Sequence, residues 1–263
     1  MKMNVLITGA TGFVGRHLTP EIELKGHNVK TVSSTDFDKI WWLEGKFDII
    51  IHLAVKTAAG GYCQKHPGEQ YITNSSINAD MMAYWAQYQR QAKMITFGSS
   101  CAYDKNEQKT EENYLNGQPE PGYEVYGYNK RSLLIGLRAL NKEYGMRYNY
   151  MIPSTFYGPN YNLDDKHFIF DLIRKIVDAK NGGPEVTLWG DGHQTRELIF
   201  IQDAVNIIIN TIEGRINTDV FNLSTGKEYS IRTYAQTICN IVGYDFNKIK
   251  WDLDAFVGSK SKN

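Results

Sequence analysis

Apolar positions in the first half of the chain fall into short continuous runs, and the segments between them carry helical spacing. NVLITGA (4–10), NVKTVSS (28–34), FDIIIHLAV (47–55), KMITFGS (93–99) and RYNYMIPST (147–155) read as strands. GRHLTPEIELKG (15–26), SINADMMAYWAQYQRQ (76–91) and YNKRSLLIGLRALNKEYG (128–145) read as helices, two of them ending at glycine. Strands that are apolar on both faces and alternate with helices imply a parallel sheet covered on both sides. The predicted class is α/β, a Rossmann-type doubly wound sheet.

The second half is less regular. Residues 158–197 mix turns, one helix and one short strand, which reads as a smaller lobe. LIFIQDAVNIIINTIEG (198–214) and DVFNLST (219–225) then return to the sheet. This divides the chain into a larger sheet domain, 1–152 and 197–222, and a smaller, discontinuous α/β lobe, 153–196 and 223–263.

Composition narrows the function. In 263 residues, 42% are hydrophobic and 22% charged, with 29 basic against 29 acidic side chains. Such a balance attracts neither nucleic acid nor an anionic membrane in bulk. No apolar run is long enough to span a bilayer. The N-terminus runs straight into a strand and a glycine loop, without the features of a signal peptide. Three widely spaced cysteines, Cys63, Cys101 and Cys239, argue against a disulfide framework and a metal cage, and they suit a reducing compartment. The expectation is a cytoplasmic protein without a metal.

TGATGFVG follows the first strand and opens the first helix, with Gly9, Gly12 and Gly15 at its turns. Glycines there let backbone approach a pyrophosphate, and the helix N-terminus offers free N–H groups to it. The second strand ends in Ser33 and Ser34, and Asp36 arrives later. Hydroxyls with Lys39 nearby tolerate a 2′-phosphate, which favours NADP; the alternative is that Asp36 holds the ribose of NAD.

Tyr126 and Lys130 stand four apart and so share a helix face, at the start of the helix after the strand that leads to Ser99. An ammonium beside a phenol stabilises phenolate and lowers its pKa from about 10. Tyr126 can then exchange a proton with a substrate oxygen while Ser99 bonds the same oxygen.

Taken in order, TGATGFVG, HLA (52–54), GSSCAY (98–103), YGYNK (126–130) and PSTFYGP (153–159) resemble the extended short-chain dehydrogenase/reductases, the NAD-dependent epimerase/dehydratase family that modifies nucleotide sugars. The resemblance covers nearly the whole chain. It implies Ser99, Tyr126 and Lys130 as catalytic residues. It implies cofactor contacts from Gly9, Thr11, Gly12, Phe13, Val14, Gly15, Ser33, Asp36, Leu53, Ala54 and Pro153, besides Tyr126 and Lys130. The two helices beginning near Ser76 and Tyr126 are where members commonly pair into homodimers, although core burial explains their apolar content equally.

Within that family the residues after the serine separate the chemistries. Dehydratases carry Asp-Glu there; this chain has Cys101-Ala102, which resembles the GDP-L-fucose synthase branch of epimerase/reductases. That branch implies a GDP-sugar substrate, inversion at C3 and C5 of a 4-keto-6-deoxymannose, and hydride reduction at C4. It implies Cys101 and His167 as the two proton-transfer groups. It also implies substrate contacts from Lys56, Ser154, Thr155, Lys175, Trp189, Arg196 and Lys262, in a lobe shorter at its C-terminus than the family's. The hydrogens flanking a ketone are acidified, so a thiol near 8.5 and an imidazole near 6.5 suit their exchange. Taken alone, Cys101 is as readily a buried small side chain, His167 a helix cap, Trp189 core and Arg196 a solvated charge. Two other readings stay open: a 4-epimerase of NDP-hexoses holding NAD tightly, and a catalytically idle dinucleotide-binding partner protein.

Overall fold

The computed structural model describes residues 2–57, 62–161 and 167–255, and of 34–36 only the backbone. In chain order its strands are β1 (Asn4–Thr8), β2 (Asn28–Val32), β3 (Ile49–His52), β4 (Lys93–Phe97), β5 (Tyr148–Pro153), β6 (Thr155–Tyr157), β7 (Thr187–Trp189), β8 (Thr195–Phe200), β9 (Val220–Leu223), β10 (Glu228–Ser230) and β11 (Lys250–Asp252). The helices are α1 (Phe13–Leu24), α2 (Tyr62–Lys65), α3 (Pro67–Tyr88), α4 (Glu124–Tyr144), α5 (Phe168–Lys180), α6 (Ile201–Ile212) and α7 (Ile231–Val242).

Six strands form one all-parallel sheet in the order β2-β1-β3-β4-β5-β9. The chain leaves β1 toward β2 and then crosses to β3 on the other side, so the topological switch lies between β1 and β3. Ligands of doubly wound sheets bind at the carboxyl ends of the strands beside that point. The alternation of side chains divides the core accordingly. Leu6, Ile50, Met94, Tyr150 and Ile152 face α3 and α4, where Met81, Trp85, Leu133, Leu134 and Leu137 are enclosed. Val5, Ile7, Ile51, Ile95 and Met151 face α1 and α6 through Leu18, Ile22, Val205 and Ile208. Each such side chain contributes roughly 1.5–3 kcal/mol of burial.

α3 starts nine residues before the predicted Ser76. Its added turns bury Gln70 and Asn74, and Asn78 is buried one turn further on, polar side chains held by hydrogen bonds. In the second half, Leu198 to Phe200 belong to β8, which joins β6 and β10 in a separate three-stranded sheet. α6 and β9 make the predicted return to the main sheet. A third apolar cluster, including Leu172, Ile176, Leu188, Ala235 and Cys239, ties α5, β7 and α7 together. Among the described residues no helix is long and apolar enough to cross a membrane.

Candidate active site

The glycine loop closes over the end of β3. Gly9 has φ +72°, and a Cβ there would stand 2.7 Å from the Ala54 amide nitrogen. Gly12 is the N-cap of α1, with no side chain capping the first turn. A Cβ on Gly15 would come within 2.5 Å of the Ala10 backbone, so the helix start lies directly on the loop. Thr11 and Gly12 are exposed, Phe13 and Val14 half-buried. An anion at this helix end meets uncapped N–H groups and the positive end of the dipole, so the residues fit a dinucleotide pyrophosphate. Leu53 and Ala54 lie across the switch point, their amides bonded to the Thr8 carbonyl at 3.0 Å and the Thr8 hydroxyl at 3.3 Å. Ser33 follows β2 directly. The Asp36 side chain lies outside the described residues, as does Lys262.

Below the loop runs a buried polar chain. The Thr8 hydroxyl and His52 Nδ1 are 2.8 Å apart, and His52 Nε2 is 3.2 Å from Asn78 Oδ1. Asn78 donates to Asn129 at 3.0 Å, joining β1 and β3 to α3 and α4. Burial first, and the Lys130 charge as well, lower the His52 pKa to about 4, although its bond to Asn78 works the other way. The ring is therefore neutral, with Nε2 donating and Nδ1 accepting.

GSSCAY leaves β4 as a short 3-10 turn, Ser100–Ala102, capped by Ser99, whose Oγ accepts from the Cys101 N–H at 3.2 Å. Facing it is α4. Lys130 is buried and donates from Nζ to the Phe97 carbonyl at 2.9 Å, with Nζ 5.6 Å from the centre of the Tyr126 ring. Burial lowers its pKa to about 8. The expected depression of the Tyr126 phenol is corrected here. Desolvation raises its pKa above the ordinary range, the neighbouring Cys101, Tyr114 and Cys63 push the same way, and the Thr57 side chain opposes them. Lys130 gives its ammonium to the Phe97 carbonyl and burial dominates the phenol, so Tyr126 is protonated in the ligand-free protein.

Arg131, the next residue of α4, was not singled out from the sequence. Its guanidinium is buried and donates to the carbonyls of Ala102 at 2.8 Å, Asn116 at 2.6 Å and Gly117 at 2.8 Å, with Leu115 at 3.4 Å. It thus anchors the far end of the Cys101 turn to α4. An arginine next to the lysine of a helix otherwise rich in leucine was the only sequence signal for it.

A cavity of about 50 Å³ opens beyond Ser100, lined among others by Tyr103, Ser154, Thr155, Arg196 and Asn222. Pro153, Ser154 and Thr155 lie where β5 passes into β6. Ser154 Oγ is buried without a hydrogen-bond partner among the described residues, a deficit of about 1–3 kcal/mol that a ligand hydroxyl would relieve. Arg196, on β8, donates to the Thr195 carbonyl at 2.6 Å. Glu197 beside it is buried and accepts from the Thr225 and Gly226 amides and the Thr225 hydroxyl. His167 caps α5 with its carbonyl, 3.0 Å from the Asp171 amide. The turn after it sits near the glycine loop, Phe170 meeting Phe13 edge to face at 5.5 Å. Lys56 pairs with Glu69 of α3, and Lys175 with Asp171 at 2.9 Å. Trp189 is 61% exposed, which is surface rather than core.

Known proteins resemble this chain in sequence and in fold. The chain is 30% identical over 244 residues to the GDP-L-fucose synthase of Dictyostelium discoideum, covering 88% of this chain and 76% of that one. It is 28% identical to the GDP-L-colitose synthase of Yersinia pseudotuberculosis, covering 99% and 88%. The fold matches a GDP-L-fucose synthetase from Naegleria fowleri bound to NADP, with TM-score 0.79, 21% identity and coverage of 98% and 84%. The description NAD dependent epimerase/dehydratase family matches residues 5–224, most of the length, and the chain belongs to that family.

Proposed function

We propose that this protein is an NADP-dependent epimerase/reductase of GDP-4-keto-6-deoxy sugars, converting GDP-4-keto-6-deoxymannose to GDP-L-fucose. The observation that carries the reading is the thiol-bearing turn. Cys101 follows Ser99 on a 3-10 turn fixed to α4, close enough to Tyr126 to influence its ionisation. In this reading Cys101 removes a proton beside the ketone, and His167 returns one to the opposite face of the ring. Ser99 and Tyr126 hold the enolate oxygen. NADPH supplies the hydride for C4, and Tyr126 gives the C4 oxygen its proton, a role that suits a phenol kept protonated. Lys130 orients the nicotinamide ribose.

Arg196 clamps the diphosphate with its guanidinium fork. Ser154 and Thr155 meet sugar hydroxyls, and the unpartnered Ser154 Oγ supports that assignment. Lys56, Lys175, Trp189 and Lys262 complete the substrate contacts between the domain of 1–152 and 197–222 and the lobe of 153–196 and 223–263. Ser33 at the end of β2, where a carboxylate would repel a 2′-phosphate, supports NADP, as does the NADP-bound relative. The reading includes a homodimer through α3 and α4, on which Ile72, Tyr128 and Ile135 are exposed.

The test mixes the protein with GDP-4-keto-6-deoxymannose and NADPH in deuterated water. Absorbance at about 340 nm, set by the reduced cofactor, falls as C4 is reduced, and deuterium enters C3 and C5. Cys101→Ser is expected to slow exchange at both carbons by about a hundredfold or more, in the range of lost general acid–base catalysis. Full-rate exchange in that variant removes the thiol from the mechanism. The relative named for GDP-L-colitose favours a second sugar, so the corresponding 4-keto substrate belongs in the same assay.

A further inference from the structure

Two buried tyrosines join the elements that carry the reacting groups. Tyr114 and Tyr150 are both 0% exposed. Their rings meet edge to face with centroids 5.7 Å apart, and their hydroxyl oxygens are separated by 3.0 Å. At one end the Ser99 N–H donates to Tyr114 Oη at 3.2 Å. At the other the Tyr150 hydroxyl donates to the Lys130 carbonyl at 2.7 Å.

A phenol has one proton to give. That of Tyr150 is committed to Lys130, so that of Tyr114 goes to Tyr150, and the chain runs one way from Ser99 to Lys130. Burial holds Tyr114 up at about 12 and Tyr150 well above its ordinary value, so both protons persist across any working pH.

The neighbouring backbone is shaped to the same pair. A Cβ on Gly98 would lie 2.7 Å from both Tyr114 Oη and Tyr150 Cε1. Three consecutive residues are thereby referred to Lys130. Phe97 receives its Nζ, Gly98 lies against the tyrosines, and Ser99 reaches its carbonyl through them. Two phenylalanines would fill the same volume; the hydroxyls are needed only for the bridge.

We propose that Tyr114 and Tyr150 are positioning residues, whose linked hydroxyls fix the Ser99 backbone against α4 and so set the Ser99 hydroxyl relative to Tyr126 and Lys130. The inference rests on the reading of those three as the catalytic group. Sub-ångström placement matters at such a site, because a shift of about 1 Å can cost a hundredfold in rate.

The test uses the full chain with Tyr114→Phe and Tyr150→Phe. Amide hydrogen exchange needs no substrate. The Ser99 amide is expected to exchange at least about tenfold faster in Tyr114→Phe, while Ile95 and Thr96 within β4 keep their wild-type rates. An unchanged Ser99 amide overturns the bridge. Turnover gives the second readout: kcat falls by about tenfold or more with KM for NADPH unchanged, and the same substitution costs nothing further in a Ser99→Ala background. Equal losses in both backgrounds overturn the positioning role, because a general loss of packing acts whatever stands at 99. Should Tyr114→Phe fail to fold, Tyr150→Phe, which leaves Ser99 its acceptor, is expected to give a smaller kcat loss that also vanishes in Ser99→Ala; a loss that persists there overturns the proposal. Absence of sugar turnover by the wild-type chain counts against the proposed reaction and leaves amide exchange to decide the bridge.

Discussion

His52 gives the most quantitative prediction. The ring is 3% exposed, accepts from Thr8 at Nδ1 and donates to Asn78 from Nε2. Protonating Nδ1 would set a second proton against the Thr8 hydroxyl in a dry site, beside the Lys130 charge. Above pH 6.5 the imidazole is neutral whether the chain is folded or not, and it adds no pH dependence. Below 6.5 the unfolded chain takes up a proton that the folded chain refuses until about 4. Stability therefore falls as the pH drops through that window, at about 1.4 kcal/mol per pH unit and roughly 3 kcal/mol in all. Carboxylates titrate in the same range, so the comparison is with His52→Gln, whose amide can accept from Thr8 and donate to Asn78 without titrating. Urea unfolding of both proteins at intervals from pH 7.5 to 4.5 should show a constant offset at the upper end. The wild type then loses ground to the variant as the solution is acidified. Parallel curves across the whole range would refute a neutral, buried His52.

Two other perturbations address the cofactor site. Because burial brings Lys130 down to about 8, its charge fades just above neutrality; NADPH affinity, followed by cofactor fluorescence, should weaken above about pH 8 in the wild type and stay level in Lys130→Arg. A wild-type affinity flat from pH 7 to 9 would count against the assignment. Gly9→Ala combines a left-handed backbone, costing about 1–2 kcal/mol, with a methyl 2.7 Å from the Ala54 backbone, adding about 1–3 kcal/mol. Its thermal midpoint should drop by several degrees and gain little from added NADPH; an unshifted melt would mean that the loop and β3 do not approach so closely.

The strands and helices of the sheet were legible because their apolar spacing is regular, and most fall within four residues of the expected ends. The start of α3 was not, because Gln70 and Asn74 on its buried side bond to the Lys56 backbone, and a pattern of apolar positions is blind to that. The glycine loop, Ser99, Tyr126 and Lys130 could be found because local chemistry fixes their spacing. The ionisation of Tyr126 could not, since it depends on burial and on neighbours distant in the chain. Tyr114, in the segment before α4, and Tyr150, on β5, are 36 positions apart and meet only in the folded chain. Glu197 escaped notice for a similar reason, its partners lying 28 and 29 residues further on.

The Arg131 clamp has a consequence for how this chain can change. Among the described residues its guanidinium donates hydrogen bonds to backbone carbonyl oxygens, and every residue type offers one. The identities of Leu115 and Asn116 are therefore open to drift as far as this contact is concerned. The length of the loop is not: one inserted or deleted residue would carry the oxygens out of register with the fork and release the thiol-bearing turn from its helix.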